Sequence, residues 1–287
     1  MANLFSSLEV GSDVYIPRYR LKEYQQENEA ASRKLCDASL GVGHNTVETA
    51  LDLGGKPLYF LLDQGKTALH FACTRNDVES VETFLSIYVK ESVGKEGEEN
   101  ALRDALMCRS EGSQETPLLA AADSGSVDVV ALLLTKKGVD VAAVNGYGSS
   151  CLHCALRATH NAMATVEQLL RGIEPSALPG LLRSANNRGV SLVAHALFAE
   201  PEDQAVALVK RLAAAGSAVD HADREGMTAL HHAAIMRSAA LVEALLSLGA
   251  DKTMKDDQGR TPAAIFKAMT PPDHTMTSED LRLAALF

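Results

Sequence analysis

The chain has 287 residues, of which 46% are hydrophobic, 22% charged and 5% aromatic, with no Trp. That apolar content excludes a disordered chain, and the scarcity of large aromatic side chains suits small, stacked elements. A formal net charge of -10 argues against non-specific nucleic-acid binding, which needs a basic surface to displace phosphate counterions, and favours protein partners with neutral or basic surfaces.

No stretch approaches the roughly 20 consecutive apolar residues of a membrane-spanning helix. Met1 to Val10 lacks the basic flank and apolar run of a secretory signal, so a cytoplasmic location with no membrane partner is expected. Five cysteines, an odd number without such a signal, read as reduced small hydrophobes rather than a disulfide framework.

Residues 1–29 form an arm with no repeat signal. Its Leu4, Phe5, Leu8, Val10, Val14, Tyr15 and Ile16 are too apolar for a free tail, so it should dock on the rest of the chain or on a partner. Residues 30–64 carry Leu35, Ala38 and Val47, each 34 residues ahead of a counterpart at Leu69, Ala72 and Val81, with Gly54-Gly55 as a helix stop. This segment is expected to be a degenerate first unit, atypical because one of its faces meets water.

From residue 65 to 268 the sequence repeats. Six segments open in the same way: Thr67-Ala68-Leu69-His70, Thr116-Pro117-Leu118-Leu119, Ser150-Cys151-Leu152-His153, Ser191-Leu192-Val193-Ala194, Thr228-Ala229-Leu230-His231 and Thr261-Pro262-Ala263-Ala264. The leading hydroxyl can cap a helix by accepting from an orphan N–H, and Pro suits the next position because its missing donor would be unpaired anyway. Gly65, Gly148, Gly189, Gly226 and Gly259 stand two places before a capping residue. Asn145, Asn186, Asp223 and Asp256 stand three before four of those glycines, predicting tight hairpin tips. The first five openings are each followed by a second helix with apolar residues at i, i+3 and i+4: Val81, Phe84, Leu85; Val130, Leu133, Leu134; Val166, Leu169, Leu170; Val209, Leu212, Ala213; Val242, Leu245, Leu246. Gly138, Gly216 and Gly249 close three of these units.

The openings from Thr116 to Ser150, Ser191 to Thr228 and Thr228 to Thr261 are 34, 37 and 33 residues apart. Those from Thr67 to Thr116 and from Ser150 to Ser191 are 49 and 41 apart, which places insertions near 92–114 and 172–180. Glu99 to Met107 in the first insertion reads as an added helical turn or two. At the C-terminal end, Pro271-Pro272 closes the last unit. Residues 269–287 then form a tail in which Thr277 to Asp280 is a capping box leading into a short helix with Leu281, Leu283 and Phe287.

This pattern resembles the ankyrin repeat, with its Thr-Pro-Leu-His-x-Ala signature at a period of about 33 residues. The match is strongest from Asp223 to Asp251. The resemblance implies an all-α, ankyrin-repeat helical solenoid with short β-hairpin loops, built for protein binding rather than catalysis. It implies that His70, His153 and His231 hold adjacent hairpins in register. It also places the next column, Phe71, Ala120, Cys154, His195 and His232, toward a concave groove where a partner would lie. The tip residues Tyr147, Arg188, Arg224, Glu225, Asp257 and Gln258 are further candidate contacts, since the fold constrains them least and Arg and Tyr carry much interface energy.

No cofactor is expected, because neither a Gly-x-Gly-x-x-Gly cradle nor a His-Glu-x-x-His pair is present. Cys151 and Cys154 form a Cys-x-x-Cys spacing that could supply two metal ligands or a redox pair, but no second such pair completes a zinc site. The remaining carboxylates read as a solvated surface of tips and outer helix faces. The expected role is a non-enzymatic adaptor or a structural subunit of a larger assembly. The alternatives are a substrate receptor that recruits a modifying enzyme through a terminal segment, and a metal or redox protein using the cysteine pair.

Overall fold

The computed structural model describes residues 38, 65–92, 98–269 and 277–287. The arm at 1–29 and nearly all of the degenerate unit at 30–64 lie outside the described residues.

Each capping residue read from the sequence is the N-cap of a helix. The first helices are α1 (Ala68–Thr74), α4 (Pro117–Asp123), α6 (Cys151–Arg157), α9 (Leu192–Ala196), α11 (Ala229–Met236) and α13 (Pro262–Ala268). The hydroxyls of Thr67, Thr116, Ser191 and Thr261 accept from the third N–H of the helix, at His70, Leu119, Ala194 and Ala264. At Ser150 and Thr228 the hydroxyl meets the imidazole Nδ1 of His153 and His231, at 2.9 Å in each case. Thr67 makes the same contact with the Nδ1 of His70, at 2.8 Å.

The second helices are α2 (Val78–Ser92), α5 (Val127–Leu134), α7 (Ala162–Gly172), α10 (Glu202–Ala215) and α12 (Ala239–Ser247). Two further helices interrupt the alternation, α3 (Glu98–Met107) and α8 (Leu178–Leu182). The first is longer than the added turn or two read from its sequence: ten residues make nearly three turns. The last helix is α14 (Ser278–Leu286), entered through a capping box between Thr277 and Asp280.

Packing sorts these helices into two rows. In one row α1 meets α4, α4 meets α6, α6 meets α9, α9 meets α11 and α11 meets α13. In the other α2 meets α5, α5 meets α7, α7 meets α10, α10 meets α12 and α12 meets α14. The C-terminal helix therefore takes the place of a second helix in the terminal unit, with Leu283 fully buried.

The core lies between the rows. Leu69, Leu118, Leu152, Val193 and Leu230, each two residues past a cap, are buried, as are the i and i+3 residues of every second helix named above. Three of the i+4 residues, Leu134, Ala213 and Leu246, are half-buried, because the buried stripe is narrower than the sequence code. No single unit could bury this surface; each large aliphatic side chain gains roughly 1.5–3 kcal/mol only when a neighbour covers it.

The turn between α4 and α5 is also shaped by its neighbour. Gly125 has φ +72, and a Cβ built there would lie 2.0 Å from the His160 carbonyl oxygen of the next unit. Gly249 has φ +87 with open space around it. Gly249→Ala should therefore cost only the left-handed backbone strain, about 1–2 kcal/mol, and Gly125→Ala clearly more. Leu230→Ala should cost roughly 2–5 kcal/mol. Urea unfolding of the three variants tests the order, and equal losses for the two glycine variants would contradict the close approach at Gly125.

Candidate protein-binding surface

The tips preceding the first helices share one construction. The side-chain Oδ1 of Asn145 accepts from the N–H groups of Tyr147 and Ser149, and Asn186 does the same for Arg188 and Val190. Asp223 holds Glu225 and Met227, and Asp256 holds Gln258 and Arg260. A glycine follows each at positive φ, from Gly148 at +73 to Gly189 at +79, and a backbone bond closes each turn, as from Asn145 N–H to the Ser149 carbonyl at 3.1 Å. Asn and Asp are favoured here because their short side chains accept from the backbone two residues on. Asp223 and Asp256, read from the sequence as turn residues, are consequently buried at the side chain.

Consecutive tips are stitched together through the backbone. Gly146 N–H donates to the Ser113 carbonyl at 2.8 Å, Asn187 to Tyr147 at 2.9 Å, Arg224 to Arg188 at 3.1 Å and Asp257 to Glu225 at 3.0 Å. The tip residues are thus fixed at the main chain while their side chains project. Tyr147 is 62% exposed, and Arg188, Arg224, Glu225, Asp257 and Gln258 are exposed as well.

Behind the tips, three imidazoles join neighbouring units. Nε2 of His70 donates to the Glu115 carbonyl at 3.0 Å, that of His153 to Val190 at 3.2 Å, and that of His231 to Arg260 at 3.1 Å. A carbonyl can only accept, so Nε2 carries the proton and Nδ1 takes the hydrogen of the capping hydroxyl at Thr67, Ser150 or Thr228. Each accepting residue immediately precedes the next cap. The register role implied for these histidines is what the geometry shows.

The neighbouring column divides. Phe71 is 8% exposed, and Ala120 and Cys154 are buried, so these side chains pack in the stack and do not offer a contact strip. His195 is half-buried, with its ring edge-on to His153 at 5.6 Å between centroids. His232 is engaged by its own hairpin, its Nε2 lying 2.9 Å from Asp223 Oδ2. The hairpin reaches the column in the same way in both units: Asp223 meets His232, and the Asn145 amide meets the Cys154 sulfur at 3.9 Å.

Cys151 and Cys154 are both fully buried. Burial pushes the Cys151 thiol up to about 12 and the Cys154 thiol up as well, so neither is a thiolate at neutral pH. Among the described residues no group of three or more His, Cys, Asp or Glu side chains is placed to hold a metal ion. Among the same residues no helix is long and apolar enough to cross a membrane.

Family models for ankyrin repeats match residues 64–89, 89–178 and 212–266. The chain is an ankyrin repeat protein. A similar curated relative, an ankyrin repeat protein of Acanthamoeba polyphaga mimivirus, is 33% identical over 94 residues, which is 33% of this chain and 13% of the relative. The chain therefore spans only a small part of that relative's length. The ankyrin repeat domain of human ASB11 superposes with a TM-score of 0.59 at 19% identity, over 90% of this chain and 97% of that domain. A chain from the complex of a predatory endopeptidase of Bdellovibrio bacteriovorus with an immunity protein superposes with a TM-score of 0.53 at 23% identity, over 77% of this chain and 99% of that one. These structural likenesses concern the fold.

The histidines make the ankyrin stack acid-sensitive. Burial lowers His70, His153 and His195 from an ordinary 6.5 to about 4, and lowers His231 too. When pH falls, the unfolded chain takes up these protons first; the histidine contribution to stability is complete above pH 6.5 and is lost progressively from pH 6.5 to about 4. His153→Gln should lower stability at pH 7 but flatten its fall across that window. Urea midpoints at a series of pH values check this, and an unchanged slope would show that His153 titrates as it does in the unfolded chain.

Proposed function

We propose that this ankyrin stack is a non-enzymatic adaptor or structural subunit that binds another protein through its row of hairpin tips. Ankyrin folds generally mediate protein–protein interaction, and the observation that carries the reading here is the tip ladder. It fixes the main chain of Tyr147, Arg188, Arg224, Glu225, Asp257 and Gln258 at regular intervals, yet their exposed side chains are not spent on the core. A surface whose backbone is already ordered loses little entropy on binding. Arg and Tyr among these residues are types that carry interface energy. The net charge of -10 favours a partner with neutral or basic surface.

The presence of a similar fold in the complex of a predatory endopeptidase with an immunity protein supports protein partners in general. Within the first-helix column, only the half-buried His195 and His232 retain surface for such a partner. The buried, protonated thiols of Cys151 and Cys154 speak against metal or redox chemistry at that pair.

Crosslinking and mass spectrometry of the native complex should place the partner within reach of the tips. In purified components, Tyr147→Ala and Arg224→Glu should each weaken binding by about tenfold or more with little change in melting temperature, because neither side chain packs in the stack. Undiminished affinity in both variants would remove the tips from the interface.

A further inference from the structure

On the fourth and fifth units described here, those opening at Ser191 and Thr228, the row of first helices is uneven. Helix α9 has five residues, whereas α6 and α11 on either side have seven and eight. The reason lies in the sequence after it. Pro201 disfavours helical backbone at Glu200 and is itself the N-cap of α10, so residues 197–201 cross from one helix row to the other as a loop. The end of α11 is left uncovered on that side.

The result is an open notch of about 650 Å³ whose apolar wall includes Phe198, Pro201, Met236 and Leu241. Phe198 is 59% exposed and Met236 41%, an unusual pairing of large apolar side chains on one surface feature. The Phe198 ring is not loose. It lies edge-on to His232, with centroids 6.3 Å apart, and His232 is held by Asp223. At the polar side stand Glu200 and Glu202, both exposed, with Glu202 anchored by the Ser238 hydroxyl.

We infer that this notch is a second binding site, separate from the hairpin tips, for a peptide segment that carries a large aromatic or aliphatic side chain next to Lys or Arg. The apolar walls take the large side chain, whose burial together with Phe198 and Met236 supplies the affinity. The two glutamates face the flanking cation and set the specificity, in keeping with the acidic charge of the whole chain. Pre-ordering of Phe198 by His232 lowers the entropy lost when the segment docks. The inference shares with the tip reading only the class of partner, a protein, and it stands or falls on different residues.

Selection from a random peptide library displayed on phage, against the immobilised full chain, tests it. Enriched peptides should converge on an aromatic or aliphatic residue adjacent to Lys or Arg. Their affinity, measured by fluorescence anisotropy, should fall about tenfold or more in Phe198→Ser and in Glu200→Lys, while Arg224→Glu leaves it unchanged. Thermal melting of the variants should match the parent, since both side chains are exposed; Met236→Gln serves if Phe198→Ser fails to fold. Enrichment of acidic peptides, absence of convergence, or affinity indifferent to both Phe198→Ser and Met236→Gln would overturn the proposal. So would a concentration-dependent dimer that Phe198→Ser dissolves, because the notch would then belong to a second copy of the chain. Peptides lost only in Arg224→Glu would support the tip surface and leave this notch without its ligand, also overturning the inference.

Discussion

A single imidazole bridge repeats through the stack: a histidine one turn into a first helix takes the proton of its own capping hydroxyl and donates to the carbonyl just before the next cap. His70, His153 and His231 each do this with both ring nitrogens satisfied and the ring buried. One side chain thereby sets a helix start, fixes its own tautomer and locks the distance to the next unit. Buried polar groups are costly unless paired, so the bridge is as much a constraint as a source of stability. A neighbour displaced by a residue would leave a buried Nε2–H and a carbonyl without partners.

Register, once fixed there, propagates outward. The tips meet through backbone bonds such as Asn187 to Tyr147, across a bridged boundary, and Arg224 to Arg188, across one without a bridge. The ion pair Arg211–Glu167 crosses a bridged boundary, while the close approach of Gly125 to His160 and the ion pair Arg157–Asp123 cross the boundary between the units opening at Thr116 and Ser150. Pairs that are partly exposed contribute little individually. Their placement follows from the register more than it determines it.

What the sequence disclosed is what recurs. Six capping residues, the tip glycines and the i, i+3 stripes of the second helices are local signals, each set by backbone chemistry within a few residues, and all could be read without a neighbour in view. What escaped depends on contacts between units. Cys154 and His232 hold equivalent positions and meet equivalent turn residues, yet one is buried and the other is half-buried and bonded to an aspartate. The burial of Asp223 and Asp256 under their own turns is likewise invisible in a charge count. Phe198 could have been flagged as an apolar residue outside the helical code, next to Glu200-Pro201. Its exposure beside Met236 needed the packed units.

The bridge is missing at three openings, where Leu119, Ala194 and Ala264 stand in place of histidine. At Ala194 its absence coincides with the shortest of the first helices, α9, and with the notch. In a linear array each junction contributes its own coupling energy, and cooperativity extends only as far as that coupling holds. The boundary between the unit opening at Ser191 and the one opening at Thr228 is thus held without an imidazole, through the backbone bond from Arg224 to Arg188, the Ser238–Glu202 contact and the packing of α10 on α12.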